Sequence, residues 1–240
     1  VSAQASKIHV AIAAWEWPSY FKPEEKAKGI RLGRAKFRRP APDTAPVESK
    51  AAGLYMICTV SKHAAEREGY ADALMLDYRG YVAEATGANI FMVRDGVIHT
   101  PTPDCFLNGL TRQSVIKLAK KRGFEVVERH ILEEELPTFS EVFICGSAAE
   151  VTPVAEIGEF TYTPGNISLS LMDDYARMVR RLFSYIHEGG HIPHEWFAAE
   201  VARLDNVNGD IEALADRLAG VRSWAYIAQR SDWLKDPVKW

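Results

Sequence analysis

Apolar residues recur at helical spacing in three segments of the chain. After Lys50, apolar and small side chains return every three or four positions until Gly69, which predicts an amphipathic helix. A second helix is predicted over residues 110–122, because Gly123 supplies an end signal. A third is predicted over residues 167–186, where large apolar side chains form one stripe.

Short apolar runs between turn residues predict the strands. Residues 73–76 are predicted to form a buried strand, and residues 29–37 alternate in the manner of an edge strand. Residues 81–97 are predicted to form further strands joined at Asp95-Gly96, since an Asp-Gly pair is typical of a hairpin. Three more strands are predicted at residues 8–15, 124–128 and 141–145.

The composition predicts a globular protein with a sizeable core. The chain has 240 residues, of which 47% are hydrophobic and 25% charged, and its formal net charge is −3. The charges are mixed along the chain, so we expect no nucleic-acid partner and no membrane partner. Residues 31–39 form the one basic stretch, and we interpret it as a solvated strand and loop rather than a phosphate-binding patch.

The three cysteines argue for a reducing compartment. They are odd in number and far apart in the sequence, which does not fit a disulfide framework or a zinc cage. A cytoplasmic location is therefore expected. His187 to His191 match the letters of the HExxH zinc motif, but two adjacent glycines oppose the helix that this motif needs, so no metal site is predicted.

Two charged residues stand out as candidates for chemistry. Lys50 lies where a proline-rich loop meets a helix, and a lysine shielded in a cleft can act as a nucleophile. A solvated surface lysine is the alternative. Glu84 interrupts a run of small and apolar residues, where a buried carboxyl group would need a cation or a strong donor. Its alternative is an outward-facing position on the strand.

Two glycine-containing segments are candidates for anion binding. Gly109 precedes a predicted helix, whose first turn offers free backbone N–H groups and the hydroxyl of Thr111. Gly146 begins a second segment of small residues, including Ser147, which would let backbone amides approach a ligand. The alternatives are a helix-capping role for Thr111 and a turn role for Ser147.

Taken together, four segments resemble the successive motifs of branched-chain amino-acid aminotransferases, which are pyridoxal-phosphate enzymes of fold type IV. They are residues 50–55, 80–91, 109–112 and 145–154. The resemblance extends from residue 1 to about residue 181. It implies an α+β large domain in which helices surround a mixed or antiparallel, barrel-like sheet.

The resemblance also implies a role for each matching residue. Lys50 would be the Schiff-base lysine that moves the substrate's α-proton, Tyr55 would bond the ring hydroxyl of pyridoxal 5'-phosphate, and Glu84 its ring nitrogen. The remaining implied contacts are with the phosphate, through Leu110, Thr111 and Ser147, and with the substrate carboxylate, through the backbone amides of Ala148 and Ala149. The chain departs from the family pattern at Ala88, where glutamate is frequent, and at Asn108, where proline is frequent.

The expected activity is transamination of leucine, isoleucine and valine with 2-oxoglutarate, in a homodimer or larger assembly. Two alternatives stay open. One is a D-amino-acid aminotransferase of the same fold, and the other is a catalytically impaired fragment with a structural or interaction role. The second arises because family members carry a smaller N-terminal domain that we expect this chain to lack, and because residues 182–240 are predicted to form a helical extension of unknown role.

Overall fold

The computed structural model describes residues 20–21 and 23–187. Its helices are α1 (Pro23–Lys28), α2 (Met56–Arg67), α3 (Leu110–Lys121) and α4 (Asn166–His187), with short 3₁₀ helices at Ala52–Leu54 and Glu133–Thr138. Its strands are β1 (Ile30–Arg34), β2 (Asp72–Leu76), β3 (Val82–Ala85), β4 (Asn89–Arg94), β5 (Val97–Pro101), β6 (Val126–Arg129), β7 (Glu141–Gly146), β8 (Glu150–Ile157) and β9 (Phe160–Thr161).

Six strands close into a ring. The order runs β3-β2-β1-β8-β7-β4, and β4 pairs back with β3, while β5 and β6 continue from β4 and β9 pairs with β8. β1 is parallel to both of its neighbours and β5 is parallel to β6, whereas the other pairs are antiparallel. The predicted α+β fold with a mixed, barrel-like sheet and surrounding helices is confirmed.

Strand β4 of the ring is buried on both faces. Ile90 and Met92 of β4 point into one cluster inside the barrel, and Phe91 and Val93 point into a second cluster beneath α3 and α4. This explains why β4 is an almost continuous apolar run instead of an alternating one. The Phe91 ring stacks on Phe143 of β7, with ring centroids 5.0 Å apart.

The prediction of an edge strand at residues 29–37 was half right. A strand forms there, but β1 lies between β2 and β8 in the ring. Leu32 is buried, while Arg31 and Arg34 leave the sheet and pair with carboxylates at its surface, which gives the segment its mixture of apolar and charged positions. Gly33 allows β1 to pack closely against Tyr70, since a Cβ at this position would come within 2.9 Å of the Tyr70 ring.

Several other predictions of elements are confirmed. Asp95 and Gly96 both have positive φ, 53° and 78°, and make the β4–β5 hairpin. α2 and α3 lie within the predicted helical segments, although α2 starts only at Met56, after the 3₁₀ turn, and α4 extends one residue beyond the predicted segment at each end. The predicted strand at residues 8–15, the HExxH-like segment from residue 188 onward and the predicted extension beyond residue 187 lie outside the described residues.

Helix α4 continues without interruption past residue 181, where we expected the large domain to end. The division into residues 1–181 and 182–240 remains a prediction. In the described part of the chain, none of the helices combines the length and the apolar character needed to cross a membrane. Cys58, Cys105 and Cys145 are free and buried.

Candidate active site

Three of the predicted motifs meet at one end of the barrel. A Cβ atom at Gly146, where β7 ends, would lie 3.3 Å from the carbonyl oxygen of Gly87 in the β3–β4 hairpin. A Cβ atom at Gly109, just before α3, would lie only 2.6 Å from Asn89 Oδ1 at the start of β4. The close approaches show that the β7–β8 turn and the loop before α3 both pack onto the β3–β4 hairpin.

Glu84 lies at the centre of this end of the barrel. The residue is only 8% exposed, so the alternative of an outward-facing strand position is wrong. The carboxylate accepts a hydrogen bond from Asn89 Nδ2 at 3.3 Å and lies 3.3 Å from Arg39 Nε. Burial raises the pKa of Glu84 to about 8, because the loss of water outweighs the opposing charge of Arg39 and the Asp72 carboxylate adds to the rise.

Arg39 corrects our interpretation of the basic stretch. Its side chain is buried, and its guanidinium also donates to the carbonyl oxygens of Cys105 and Leu54, both at 3.4 Å. By contrast, Arg31 and Arg34 are exposed and pair with surface carboxylates. The basic side chains of residues 31–38 are therefore solvated, as we interpreted them. Arg39, the last residue of the stretch, is instead an internal counter-charge for Glu84.

Tyr55 lies at the edge of the same polar group. It is the N-cap residue of α2 and is 37% exposed. Burial and the nearby Glu84 carboxylate raise the pKa of its phenol. Cys58, one turn further along α2, receives a hydrogen bond from Arg39 at 3.4 Å. The start of α2 thus faces the Arg39–Glu84 pair.

Lys50 is exposed at the end of the proline-rich loop, two residues before the 3₁₀ turn. Within the described residues, its amine has no hydrogen bond and no ion pair. The amine is therefore accessible. The shielding that a nucleophilic lysine needs is not supplied by the part of the chain that the structure describes.

The first turn of α3 is open to an anion. Gly109 is its N-cap residue, no side chain caps it, and its first turn holds no acidic residue. The start of α4 differs, because the carboxylate of Glu141 accepts hydrogen bonds from the backbone amides of Gly165, Ile167 and Ser168. The backbone amides at the start of α4 are therefore satisfied within the protein, whereas the start of α3 presents its dipole and free amides to the barrel end.

Leu110 and Thr111 occupy that open turn. Leu110 is 74% exposed, and Thr111 is 7% exposed with its hydroxyl 3.3 Å from the hydroxyl of Tyr175 on α4. The alternative of Thr111 as a helix cap is wrong, since Gly109 has the cap position. When Tyr175 donates in this pair, the Thr111 hydroxyl keeps its own proton for a ligand oxygen.

The β7–β8 turn is held firmly. Ser147 is exposed, Ala148 half-buried and Ala149 buried, and the Ala149 carbonyl accepts a 2.6 Å hydrogen bond from Thr152. Glu150, the next residue, has a positive φ of 54°. Its carboxylate is fixed by an ion pair of 2.6 Å with Lys26 of α1. A non-glycine residue with such a positive φ stores backbone strain, and strain of this kind is often found beside ligand sites.

A family model for class IV aminotransferases matches residues 1–157, which is more than half of the chain. The chain belongs to the class IV aminotransferases. A probable branched-chain-amino-acid aminotransferase from Rickettsia felis is 41% identical over 162 residues, which cover 66% of this chain and 56% of that protein. The chain thus spans about half the length of this curated relative.

Solved structures of class IV aminotransferases share the fold. The branched-chain aminotransferase of Thermoproteus uzoniensis, solved with norvaline, superimposes with a TM-score of 0.66 at 37% identity, covering 70% of this chain and 55% of that one. An aminotransferase from Brucella abortus, bound to the cofactor PLP, gives a TM-score of 0.62 at 34% identity over 68% of this chain and 57% of that one. The fold is therefore that of the fold type IV enzymes.

Sequence reasoning missed three residues of this candidate site. They are Arg39, Asp72 and Asn89. Asp72 in β2 accepts hydrogen bonds from the backbone amide and hydroxyl of Thr86, and burial raises the pKa of its carboxyl group. Asn89 is the polar first residue of an otherwise apolar strand, and that signal was available in the sequence.

Proposed function

We propose that this chain binds pyridoxal 5'-phosphate at the end of its barrel and supplies the cofactor-holding part of a branched-chain amino-acid aminotransferase. One observation carries the proposal. A buried acid with a raised pKa, Glu84, lies beside a helix start that no side chain caps. These two features suit opposite ends of one ligand, a basic ring nitrogen and a phosphate.

The donor set fits this cofactor. Glu84 would meet the ring nitrogen and Tyr55 the ring hydroxyl, and the two side chains are close enough for the Glu84 charge to raise the pKa of Tyr55. The backbone amides of Leu110 and Thr111, the Thr111 hydroxyl and Ser147 would hold the phosphate. Gly109 lets the backbone before this turn pack directly against Asn89, since a side chain there would collide with its carboxamide.

When bound, pyridoxal phosphate supplies an aldehyde that bonds amines and a ring that accepts electrons. Glu84 holds a proton at neutral pH because burial disfavours its charge. It can share that proton with a ring nitrogen, and Arg39 and Asn89 then stabilise the resulting carboxylate. Lys50 would hold the aldehyde and carry the substrate's α-proton, because its amine is accessible.

The proposed substrates are leucine, isoleucine and valine, with 2-oxoglutarate as amino-group acceptor. The backbone amides of Ala148 and Ala149 would bind the substrate carboxylate, at a turn that Thr152 and Lys26 hold in shape. A homodimer or larger assembly and a cytoplasmic location belong to the same proposal.

A second candidate is a chain that binds the cofactor without turnover. The exposure of Lys50 favours it, because the described residues do not shield its amine. A D-amino-acid aminotransferase of the same fold is a third outcome that the same experiment separates.

The test uses absorbance of the full chain loaded with pyridoxal phosphate, followed during addition of L-leucine, L-glutamate or D-alanine. Transamination of branched-chain L-amino acids predicts a shift of the cofactor band with L-leucine and L-glutamate, and formation of the matching 2-oxo acid. A stable band that ignores all three amino acids would identify the non-catalytic binder. A response to D-alanine alone would indicate the D-specific enzyme, and absence of any band in the loaded chain would overturn the proposal.

A further inference from the structure

Asn89 is the residue at which the barrel closes. It is the first residue of β4, and the register of β3 with β4 pairs it with Glu84. Directly paired residues in an antiparallel ladder project to the same face of the sheet. The Asn89 side chain is buried, so its carboxamide must satisfy its hydrogen bonds within the protein.

The carboxamide uses both of its ends. Nδ2 donates to Glu84 Oε2 at 3.3 Å and to the carbonyl oxygen of Leu107 at 3.0 Å. Oδ1 accepts from the backbone amide of Gly109 at 3.3 Å. A reversed amide would set its oxygen against two acceptors and its NH₂ group against a donor, so the three partners fix one orientation.

Gly109 confirms how closely the loop lies against this amide. Its φ and ψ, −63° and 145°, suit any residue, so the backbone conformation does not demand glycine. Space demands it, because a Cβ atom would lie 2.6 Å from Asn89 Oδ1. The start of α3 is thus seated directly on the Asn89 side chain.

We infer that Asn89 is a positioning residue that sets the ring-nitrogen acid, Glu84, and the phosphate-binding start of α3 at a fixed separation. The inference rests on the proposed cofactor site and deepens it. Asn89 itself need not touch the ligand. Its Nδ2 binds the Glu84 carboxylate, and both Nδ2 and Oδ1 bind the loop at residues 107–109. Neither the carboxylate nor the loop can therefore shift without breaking hydrogen bonds.

Two consequences can be measured separately. Loss of the Asn89 amide removes two hydrogen bonds from the loop before α3, which should weaken anion binding there. It also removes a donor to the Glu84 carboxylate, which should raise the pKa of Glu84 further, since Arg39 alone would then oppose the burial and the charge of Asp72. A purely structural role would lower thermal stability without changing that titration.

The experiment compares the full chain with Asn89→Ala and Gly109→Ala, and with Asn166→Ala as a matched control at an exposed position. Calorimetry measures the affinity for inorganic phosphate and for pyridoxal phosphate. NMR of ¹³C-carboxyl-labelled glutamate, assigned with Glu84→Gln, follows the Glu84 titration. Gly109→Ala keeps the carboxamide but pushes it aside, so it carries the test if Asn89→Ala does not fold.

The inference predicts that both site variants weaken phosphate binding by about fivefold or more, as expected for lost hydrogen bonds, and shift the Glu84 titration upward. Asn166→Ala should match the unaltered chain in both. Unchanged phosphate affinity, or an unchanged Glu84 titration, in a folded site variant would overturn the inference and leave the proposed function standing. Failure of the unaltered chain to bind either phosphate or pyridoxal phosphate would instead overturn the proposed function and the inference with it.

Discussion

Arg39 and Glu84 meet inside the barrel, with Nε 3.3 Å from Oε1 and with side chains only 6% and 10% exposed. They are 45 positions apart in the sequence and come from the chain segment after β1 and from β3. Because burial raises the pKa of Glu84 to about 8, Arg39 is the charged member of the pair at neutral pH, and the two form an ion pair once Glu84 loses its proton. Removing either member leaves the other group buried without compensation.

Replacing Arg39 should be far more costly than replacing its neighbour. We expect Arg39→Leu to lower the free energy of unfolding by about 3 kcal/mol or more, because Glu84 and two backbone carbonyls lose their donor. Arg38→Leu is the control, since Arg38 is exposed and should change stability by about 0.5 kcal/mol at most. Urea denaturation measures both, and equal costs would contradict the assignment of Arg39 as the internal counter-charge.

The stability of the ligand-free chain should depend on the titration of Glu84. Its pKa is about 8 in the folded chain and about 4.3 in an unfolded chain. Between these values the folded chain keeps a proton that the unfolded chain has lost, so the free energy of unfolding falls as pH rises from about 4.3 to 8. Over the whole range this loss is on the order of 5 kcal/mol.

Glu84→Gln removes this titration and keeps a neutral side chain of the same shape. Its free energy of unfolding, measured by urea at pH 5 to 8.5, should fall less steeply than that of the unaltered chain. Asp72 is common to both proteins, so its own raised pKa cancels in the comparison. Parallel curves would show that Glu84 does not titrate in this range.

The positive φ of Glu150 leads to a prediction with two matched substitutions. Both Glu150→Gly and Glu150→Ala delete the ion pair with Lys26. Only glycine is free of the left-handed penalty at φ 54°, so the glycine variant should be more stable than the alanine variant by about 1 kcal/mol. Thermal unfolding distinguishes them, and an alanine variant as stable as the glycine variant would exclude backbone strain at this turn.

Local patterns were sufficient to predict most elements, and the family resemblance implied the gathering of the motifs, but neither predicted the partners of buried charges. The Asp95-Gly96 hairpin and the buried strand β2 follow from turn chemistry and apolar runs that act over a few residues. The position of β1 inside the ring does not, because strand order depends on contacts between distant segments. The charged residues of β1 suggested an edge position, because the local sequence does not show which strands lie on either side.

The candidate site shows the same difference between local signals, which the sequence reveals, and contacts between distant segments, which it does not. Glu84 stood out because a carboxyl group within an apolar strand needs a partner, whereas the identity of that partner depends on the barrel closing. Arg39 was hidden among four other basic residues of the stretch at 31–39, and only its burial separates it from them. Asn89 was passed over because a single buried amide has no charge to draw attention, although its three hydrogen bonds hold the site together.

The most direct test of the account is where pyridoxal phosphate attaches. The full chain would be incubated with the cofactor, reduced with borohydride, digested and analysed by mass spectrometry, with Lys50→Arg as the control. The account predicts one phosphopyridoxyl group, on the peptide that contains Lys50, and its loss in the Lys50→Arg variant. Labelling spread over exposed lysines such as Lys36 and Lys117, and unchanged by Lys50→Arg, would contradict it.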